Sequence, residues 1–220
     1  MFFYNLNLQK GISPVMKEFI IFHDLTLIVV IFILTLIIGV CYRLIYFKYN
    51  NLNFIDFSEL EIFWTILPGL VLLFISLPSL KLLYYLDLSN NKTPNFNIKV
   101  LGHQWYWSYG LLNIKDLNFD RYMLKMKKSE LGDLRLLEVD LPLFVPSMEF
   151  VRLLVSSSDV IHSFSVNALG IKIDAVPGRL NFGYFYSSLL GSFFGQCSEI
   201  CGVNHSFMPI NVEVINKLKY

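Results

Sequence analysis

The sequence predicts a two-helix transmembrane hairpin followed by an all-β domain. Two uncharged apolar stretches, 25–42 and 62–80, are each close to the roughly twenty residues that a helix needs to cross a bilayer. Beyond about Asp87 these runs are replaced by short alternating segments separated by turn residues, which is typical of antiparallel strands. We therefore expect three parts: an N-terminal segment (1–24), a helical hairpin (25–86) and a β domain (87–220).

Both apolar runs are predicted to cross a membrane rather than to lie in a soluble core. A small domain has too little interior to cover two such uninterrupted runs. A cleaved signal peptide fits poorly, because the first run starts well inside the chain and a second span follows it. Pro68 and Pro78 are expected to kink or end the second helix. The balance of eighteen basic and seventeen acidic residues gives no reason to expect a nucleic-acid partner.

Four segments of the β domain show period-two or β-branched patterns and are predicted strands. Together they indicate a sandwich or barrel of roughly 130 residues, which is large enough to hold its own core. A further motif, GHQWYWSY, is expected to form a strand on which Trp105 and Trp107 share one face and Tyr106 takes the other. The four predicted strands are 96–100, 135–140, 149–155 and 209–214.

Two thiols, an imidazole and a thioether lie close together in GQCSEICGVNHSFMP, as Cys197, Cys201, His205 and Met208. A disulfide between the cysteines would leave the other two without a role. A structural zinc site would use both cysteines and two histidines, the second being His162, and would leave only Met208 unused. Soft thiolate and thioether ligands instead favour copper. Because a mononuclear blue-copper site uses one cysteine, the second thiolate indicates two cysteines that bridge a pair of copper ions.

These motifs resemble subunit II of cytochrome c oxidase, a member of the haem-copper oxidases. The resemblance runs through SPVMKEFIIFHD, EIFWTILPGL, LPSLKLLY, GHQWYWSY, RLLEVD, SSSDVIHSF, IKIDAVPGRLN and GQCSEICGVNHSFMPI, and covers most of the chain. It implies that the β domain is a cupredoxin-like Greek-key barrel carrying a binuclear copper centre, CuA. The implied ligands are His162, Cys197, the backbone carbonyl of Glu199, Cys201, His205 and Met208.

The resemblance also implies roles for residues outside the copper ligands. The side chain of Glu199 would bind a magnesium ion shared with subunit I, and Glu61 would stand at the entrance of a proton path into that subunit. Trp105 would lie where the electron from cytochrome c enters. Docking of cytochrome c would involve Tyr106 and the acids Asp120, Asp140 and Asp159, supported by Asp116 and Glu138.

The implied function is electron transfer within a larger oxidase. Electrons would pass from cytochrome c through CuA to haem a in subunit I, where oxygen is reduced to water and protons are pumped; this chain would not be active alone. Only two alanines, and abundant Phe, Leu, Ile, Asn and Tyr, indicate an AT-rich genome. Together with the lack of a signal peptide pattern and of a haem-binding CxxCH motif, this composition is typical of a mitochondrially encoded subunit. We expect a multi-pass protein of the mitochondrial inner membrane with its copper domain in the intermembrane space. A bacterial plasma-membrane homologue, a copper-free quinol oxidase subunit and a zinc protein remain alternatives.

Overall fold

The computed structural model describes residues 8–48, 56–90, 93–111, 118–125, 132 and 134–216. The chain divides into two compact units. One consists of Glu18–Tyr85, and the other combines Met1–Lys17 with Leu86–Tyr220.

The first unit contains most of two long helices, α1 (Pro14–Tyr46) and α2 (Ser58–Asn90), which extend beyond the predicted apolar runs at both ends. No residue in the most apolar stretch of either helix is buried, and both helices are long and apolar enough to cross a membrane. A core helix of a soluble protein would be mostly buried, and neither of these helices is. α2 continues through Pro68 and Pro78, so neither proline ends it.

The segment before α1 packs on the β domain. The Ile12 amide donates to the carbonyl of Ala168 (3.0 Å), and the Ser13 hydroxyl donates to the carbonyl of Leu169 (2.7 Å). The same hydroxyl accepts a hydrogen bond from the Met16 amide (2.9 Å), as a helix N-cap does. Residues near the chain start are therefore part of the β unit.

The β domain contains ten strands within its described residues. They are β1 (Phe96–His103), β2 (Tyr106–Leu111), β3 (Asn118–Arg121), β4 (Leu143–Pro146), β5 (Phe150–Ser157), β6 (His162–Val166), β7 (Ile171–Ala175), β8 (Asn181–Tyr186), β9 (Gly191–Gln196) and β10 (Pro209–Ile215).

These strands form a five-stranded sheet in the order β3-β2-β1-β5-β8, a three-stranded sheet β4-β10-β9 and a hairpin β6-β7. β1 pairs in parallel with β5, and β4 with β10, whereas the other neighbours are antiparallel. Three of the four predicted strands lie in β1, β5 and β10. Two long apolar helices followed by a β-sheet domain are thus confirmed.

The core follows from alternation along the strands. In β5, Val151, Leu153 and Val155 are buried while their neighbours are only partly covered. In contrast, every residue of β6 is buried, because this strand packs against both β1 and β9. Burying one aliphatic side chain, such as those of β5, stabilises the fold by about 1.5–3 kcal/mol. Because the whole of β6 is buried, the position of its first residue, His162, is fixed by the surrounding strands.

The predicted strand at 135–140 is wrong. The Leu137 amide donates to the carbonyl of Leu134 (3.2 Å), and Leu136 has a positive φ of 66°, so the chain turns here. Only Val139 forms a bridge, to Met123. The end of the segment does pair, because the Leu124 amide donates to the carbonyl of Glu138 (2.9 Å) and the Asp140 amide donates to that of Tyr122 (3.0 Å). The turn at 135–137 keeps the first half out of a strand, so that only this one bridge remains of the predicted element.

Candidate metal centre

A loop between β9 and β10 carries most of the predicted ligands. The antiparallel pair of Gln196 and Pro209 brings both ends of this loop together. Cys197 follows β9 directly, and Met208 immediately precedes β10. His205 begins a short 3-10 turn, His205–Phe207. The sheet register thus folds the loop back on itself, so that the predicted ligand residues converge.

The structure brings the predicted ligands together. The Cys197 and Cys201 sulfurs are 4.0 Å apart, about twice the length of a disulfide bond, and both thiols are free. His162, from β6, joins the loop residues. The remaining distances are 3.9 Å from Cys197 Sγ to His162 Nδ1, 3.5 Å from Cys201 Sγ to His205 Nδ1, 3.5 Å from Cys201 Sγ to Met208 Sδ and 3.3 Å from Cys197 Sγ to the carbonyl oxygen of Glu199.

The donor set fits copper better than a single zinc ion. Ligand atoms of His162, Cys197 and Cys201 lie within 4.8 Å of one another, whereas His205 is outside this group and contacts Cys201. A tetrahedral zinc ion would need four donors around one point. Here the donors extend from His162 on one side to His205 and the buried thioether of Met208 on the other. Thiolate and thioether donors are soft ligands, which copper prefers.

The electrostatics favour a thiolate in this cluster. Burial raises the pKa of the Cys197 thiol, but hydrogen bonds with His162 and with the backbone of Glu199 outweigh it and lower that pKa. Burial and the neighbouring Cys197 sulfur raise the pKa of Cys201. Burial lowers the pKa of His162, but hydrogen bonds to Cys197 and Asp159 raise it overall. The pair of thiols therefore favours one thiolate, the form that binds a metal.

Asp159 supports the cluster from outside. Its Oδ1 lies 2.9 Å from His162 Nε2, and its Oδ2 accepts a hydrogen bond from the Gln104 amide (2.7 Å). Because His162 Nε2 is held by this carboxylate, Nδ1 is the nitrogen directed at Cys197. Trp107 adds a second support, since its indole N–H donates to the carbonyl of Met208 (3.3 Å) and its ring packs edge-on to His162.

The structure places Trp105 differently from the prediction. His103 pairs with Tyr106, which leaves Gln104 and Trp105 as the two residues of the β1–β2 turn. Trp105 and Trp107 therefore do not share a strand face, and that prediction is wrong. Trp107 is fully buried in the core, whereas Trp105 is partly exposed beside the metal loop.

An aromatic groove surrounds Trp105. The rings of His103 and Tyr106 stack with centroids 4.5 Å apart, and Tyr106 stacks on Tyr122 at 4.6 Å. The groove has a volume of about 520 Å³ and is open to solvent. Its lining residues are Gln104, Trp105, Tyr106, Tyr122, Met123, Asn204 and Phe207.

The predicted docking acids occupy different environments. Asp120 accepts a hydrogen bond from the Ser108 hydroxyl (2.6 Å), and Asp140 accepts from the Tyr122 amide (3.2 Å), so both lie near the groove. Asp159 is already engaged by His162 and Gln104. Asp116 lies outside the described residues. Tyr122 and Tyr106 connect the groove to these acids.

Glu61 and Glu199 are both exposed. Glu61 lies in the first turn of α2, in the helical unit. The Glu199 side chain projects from the metal loop, and no second group of three metal-ligating side chains is found in the described parts of the chain.

Two glycines that allow close packing around His162 and between β9 and β6 were not identified from the sequence. A methyl group on Gly102 would lie 2.9 Å from Cδ2 of the His162 ring, and one on Gly195 would collide with the carbonyl oxygen of Ser165. Gly195 therefore allows β9 to lie directly on β6. Gln104 was also not predicted as a site residue. Its side chain donates to the carbonyl of Cys201 (2.8 Å), 97 residues away. GHQWYWSY showed an amide beside the tryptophan, but nothing local identified its partner.

Comparison with known proteins agrees with this arrangement. Residues 96–215 match the family model for the periplasmic domain of cytochrome c oxidase subunit II, and residues 2–82 match the one for its transmembrane domain. The chain is 49% identical over 212 residues to cytochrome c oxidase subunit 2 of Yponomeuta malinellus, which covers 96% of this chain and 92% of that protein.

Solved structures resemble the β domain. The periplasmic domain of subunit II of cytochrome oxidase from Bradyrhizobium japonicum is 42% identical, with a TM-score of 0.54 over 58% of this chain and 89% of that chain. A mixed disulfide intermediate between a thioredoxin-like protein and subunit II of cytochrome c oxidase is 41% identical, with a TM-score of 0.51 over 58% and 87%. These similarities confirm the predicted fold class, and the transmembrane family model assigns both helices to the membrane. The chain therefore belongs to the cytochrome c oxidase subunit II family.

Proposed function

We propose that this subunit accepts electrons from cytochrome c at a binuclear CuA centre and passes them to haem a in subunit I. There the electrons would reduce oxygen to water, coupled to proton pumping. The family is a subunit of cytochrome c oxidase, an oxidoreductase, and has a transmembrane domain and a domain outside the membrane. The supporting observation is the buried convergence of two free thiols with the imidazole of His162 and the thioether of Met208.

The residues proposed to hold the two copper ions surround the sulfur pair. When bound, the copper pair supplies reversible one-electron redox chemistry. The chain contributes a closely packed pocket: Cys197, Cys201 and Met208 are buried, and Asp159 and Trp107 brace the residues around them. A pocket held from several sides moves little when charge changes, which favours fast electron transfer. The proposed ligands are His162, Cys197, the carbonyl of Glu199, Cys201, His205 and Met208.

Cytochrome c is proposed to dock over the aromatic groove. It is a basic protein, so carboxylates at the groove edge would attract it. Asp120 and Asp140 suit this role because both are exposed, even though each accepts a hydrogen bond from a residue near the groove. Tyr106 would provide flat contact area. Asp159 remains in the proposed docking set, although both its oxygens accept hydrogen bonds within the chain.

The remaining proposed roles concern subunit I and the cellular location. The exposed side chain of Glu199 would complete a magnesium site with ligands from subunit I, and Glu61 would stand at the entrance of a proton path. We place the protein in the mitochondrial inner membrane, with its copper domain in the intermembrane space. Its partners would be other oxidase subunits, cytochrome c and membrane lipid.

Metal analysis tests the copper proposal directly. The full chain in detergent, loaded with copper and then desalted, is expected to retain two copper ions and to be coloured, because thiolate ligands select copper. Elemental analysis and the visible spectrum measure this. Cys41→Ser is the control, since Cys41 lies in α1 and takes no part in the loop. A colourless protein that retains one zinc ion would replace the copper proposal with a structural zinc site.

Replacing Trp105 with alanine tests the route of electron uptake. Because the partly exposed indole lies beside the metal loop without contributing a proposed ligand, Trp105→Ala is expected to slow electron uptake from cytochrome c by about tenfold or more. The visible copper spectrum should change little. Stopped-flow reduction of the assembled oxidase measures the rate. An unchanged rate would leave Trp105 with a packing role only.

A further inference from the structure

We propose that Gln104 is a positioning residue that holds the indole of Trp105 against the metal loop. The inference deepens the proposed function, because it rests on electron uptake at Trp105. Gln104 makes no contact with electron donor or metal in this proposal. It acts through its neighbour in the chain, by attaching the β1–β2 turn to the segment that carries the sulfurs.

Two hydrogen bonds fix Gln104 at both ends. Its backbone amide donates to Oδ2 of Asp159 (2.7 Å), whose other oxygen lies 2.9 Å from His162 Nε2. Its side-chain Nε2 donates to the carbonyl oxygen of Cys201 (2.8 Å). One residue therefore connects the turn that carries Trp105 with two separate parts of the metal centre. These parts are the start of β6 and the middle of the loop.

The metal loop meets both turn residues at Gly202. A methyl group there would lie 3.2 Å from Cζ2 of Trp105 and 3.3 Å from Nε2 of Gln104, so both side chains lie directly against this glycine. Gly202 has φ of +122°, which favours glycine at this position. The indole and the amide thus share one contact surface on the loop, next to Cys201.

The indole does not fix its own position through hydrogen bonding. Trp105 Nε1 is buried and has no hydrogen-bond partner among the described residues. Its placement must therefore come from packing and from the backbone on either side. The side-chain bond from Gln104 to Cys201 is the nearest directional contact between this turn and the loop. Losing it would remove the side-chain link between this turn and the loop, while the backbone bond to Asp159 and every proposed copper ligand would remain.

The donor character of the amide decides the choice of variant. Gln104→Glu keeps the length of the side chain but presents carboxylate oxygens to the Cys201 carbonyl, so an attraction becomes a repulsion. Gln104→Ala removes the bond without repulsion. Asn97→Ala is a matched control, because it removes a side-chain amide of β1 that accepts a similar partly buried bond from Arg152 (2.7 Å), with no contact to the metal loop.

Fluorine NMR of the full chain labelled with 5-fluorotryptophan reports the indole directly. The protein has three tryptophans, and Trp105→Phe assigns the Trp105 signal. We expect Gln104→Glu to move this signal towards that of a solvent-exposed tryptophan, Gln104→Ala to move it less, and the Trp107 signal to stay. Electron uptake by the assembled oxidase should fall by about tenfold in Gln104→Glu. Asn97→Ala should change neither signal nor rate.

The outcomes separate positioning from electron uptake. An unmoved Trp105 signal in both Gln104 variants would overturn the inference, whatever the rate. A moved signal, together with a normal rate in Trp105→Ala, would support positioning by Gln104 and overturn the role of Trp105 in electron uptake. A Trp105 signal that moves equally in Asn97→Ala would also overturn it, since any lost hydrogen bond in the domain would then have the same effect.

Discussion

Replacing Cys197 with serine is expected to abolish the binuclear copper centre. The Cys197 sulfur lies among His162 Nδ1 (3.9 Å), Cys201 Sγ (4.0 Å) and the Glu199 carbonyl oxygen (3.3 Å), so it is central to the cluster. A serine hydroxyl is a hard donor that stays protonated, and it cannot replace a bridging thiolate. We expect retained copper to fall from two ions to one or none and the colour to be lost. Elemental analysis and the visible spectrum of the full chain measure both.

Met208→Leu is the matched control for this experiment. Leucine keeps the size and apolar character of the buried thioether, so the free energy of unfolding should change by less than about 1.5 kcal/mol. Both copper ions should remain, while the redox potential and spectrum shift, because a thioether is a weak ligand that tunes copper more than it holds it. An unchanged potential in Met208→Leu would make Met208 a core residue. Two coloured copper ions retained by Cys197→Ser would exclude a bridging role for that thiol.

Gly195→Ala is expected to disrupt the packing of β9 on β6. A methyl group at Gly195 would collide with the backbone carbonyl oxygen of Ser165, and backbone cannot rotate away as a side chain can. We expect the free energy of unfolding to fall by about 3 kcal/mol, at the upper end for overpacking. This corresponds to roughly a hundredfold faster amide exchange in both strands. Hydrogen exchange of the full chain, followed by mass spectrometry, measures this. Since Cys197 follows β9 directly, copper retention should also weaken.

Ser192→Ala supplies the control for Gly195→Ala. Ser192 lies on the same strand with its side chain exposed, so the same new residue should change stability by less than about 0.5 kcal/mol. Equal exchange rates in β6 and β9 for the two variants would contradict the close approach of these strands at Gly195.

Local sequence patterns predicted much of the candidate site because most of its ligands are close in sequence. Cys197, Cys201, His205 and Met208 lie in one loop, and their residue types limit the metals that they can bind. His162 was a weaker inference, since it joins them only through β6, 35 residues before Cys197. The prediction still included it because the domain offers few other histidines, and the family motif marked its position.

The predictions failed where the period-two alternation of residues did not match the actual pairing of strands. Alternation suggested a strand at 135–140, but a turn at Leu136 interrupts it, and only Val139 forms a bridge. Alternation also placed Trp105 and Trp107 on one face, but the pairing of His103 with Tyr106 makes Trp105 a turn residue. A period of two shows that a segment could be a strand. Whether it is one depends on a neighbour that supplies hydrogen bonds.

The sequence by itself determined the membrane hairpin, the β domain and the family, and it predicted the soft donors that converge in the candidate site. Each of these depends on residue type and short spacing: apolar runs long enough to cross a bilayer, and soft donors within one loop. Only the tertiary structure decided that Asp159 faces His162 and Gln104, and that Gln104 holds Cys201. Gln104 is 55 residues from Asp159 and 97 from Cys201. Such contacts follow from sheet register and from glycines that allow strands to approach, and neither leaves a local pattern in the chain.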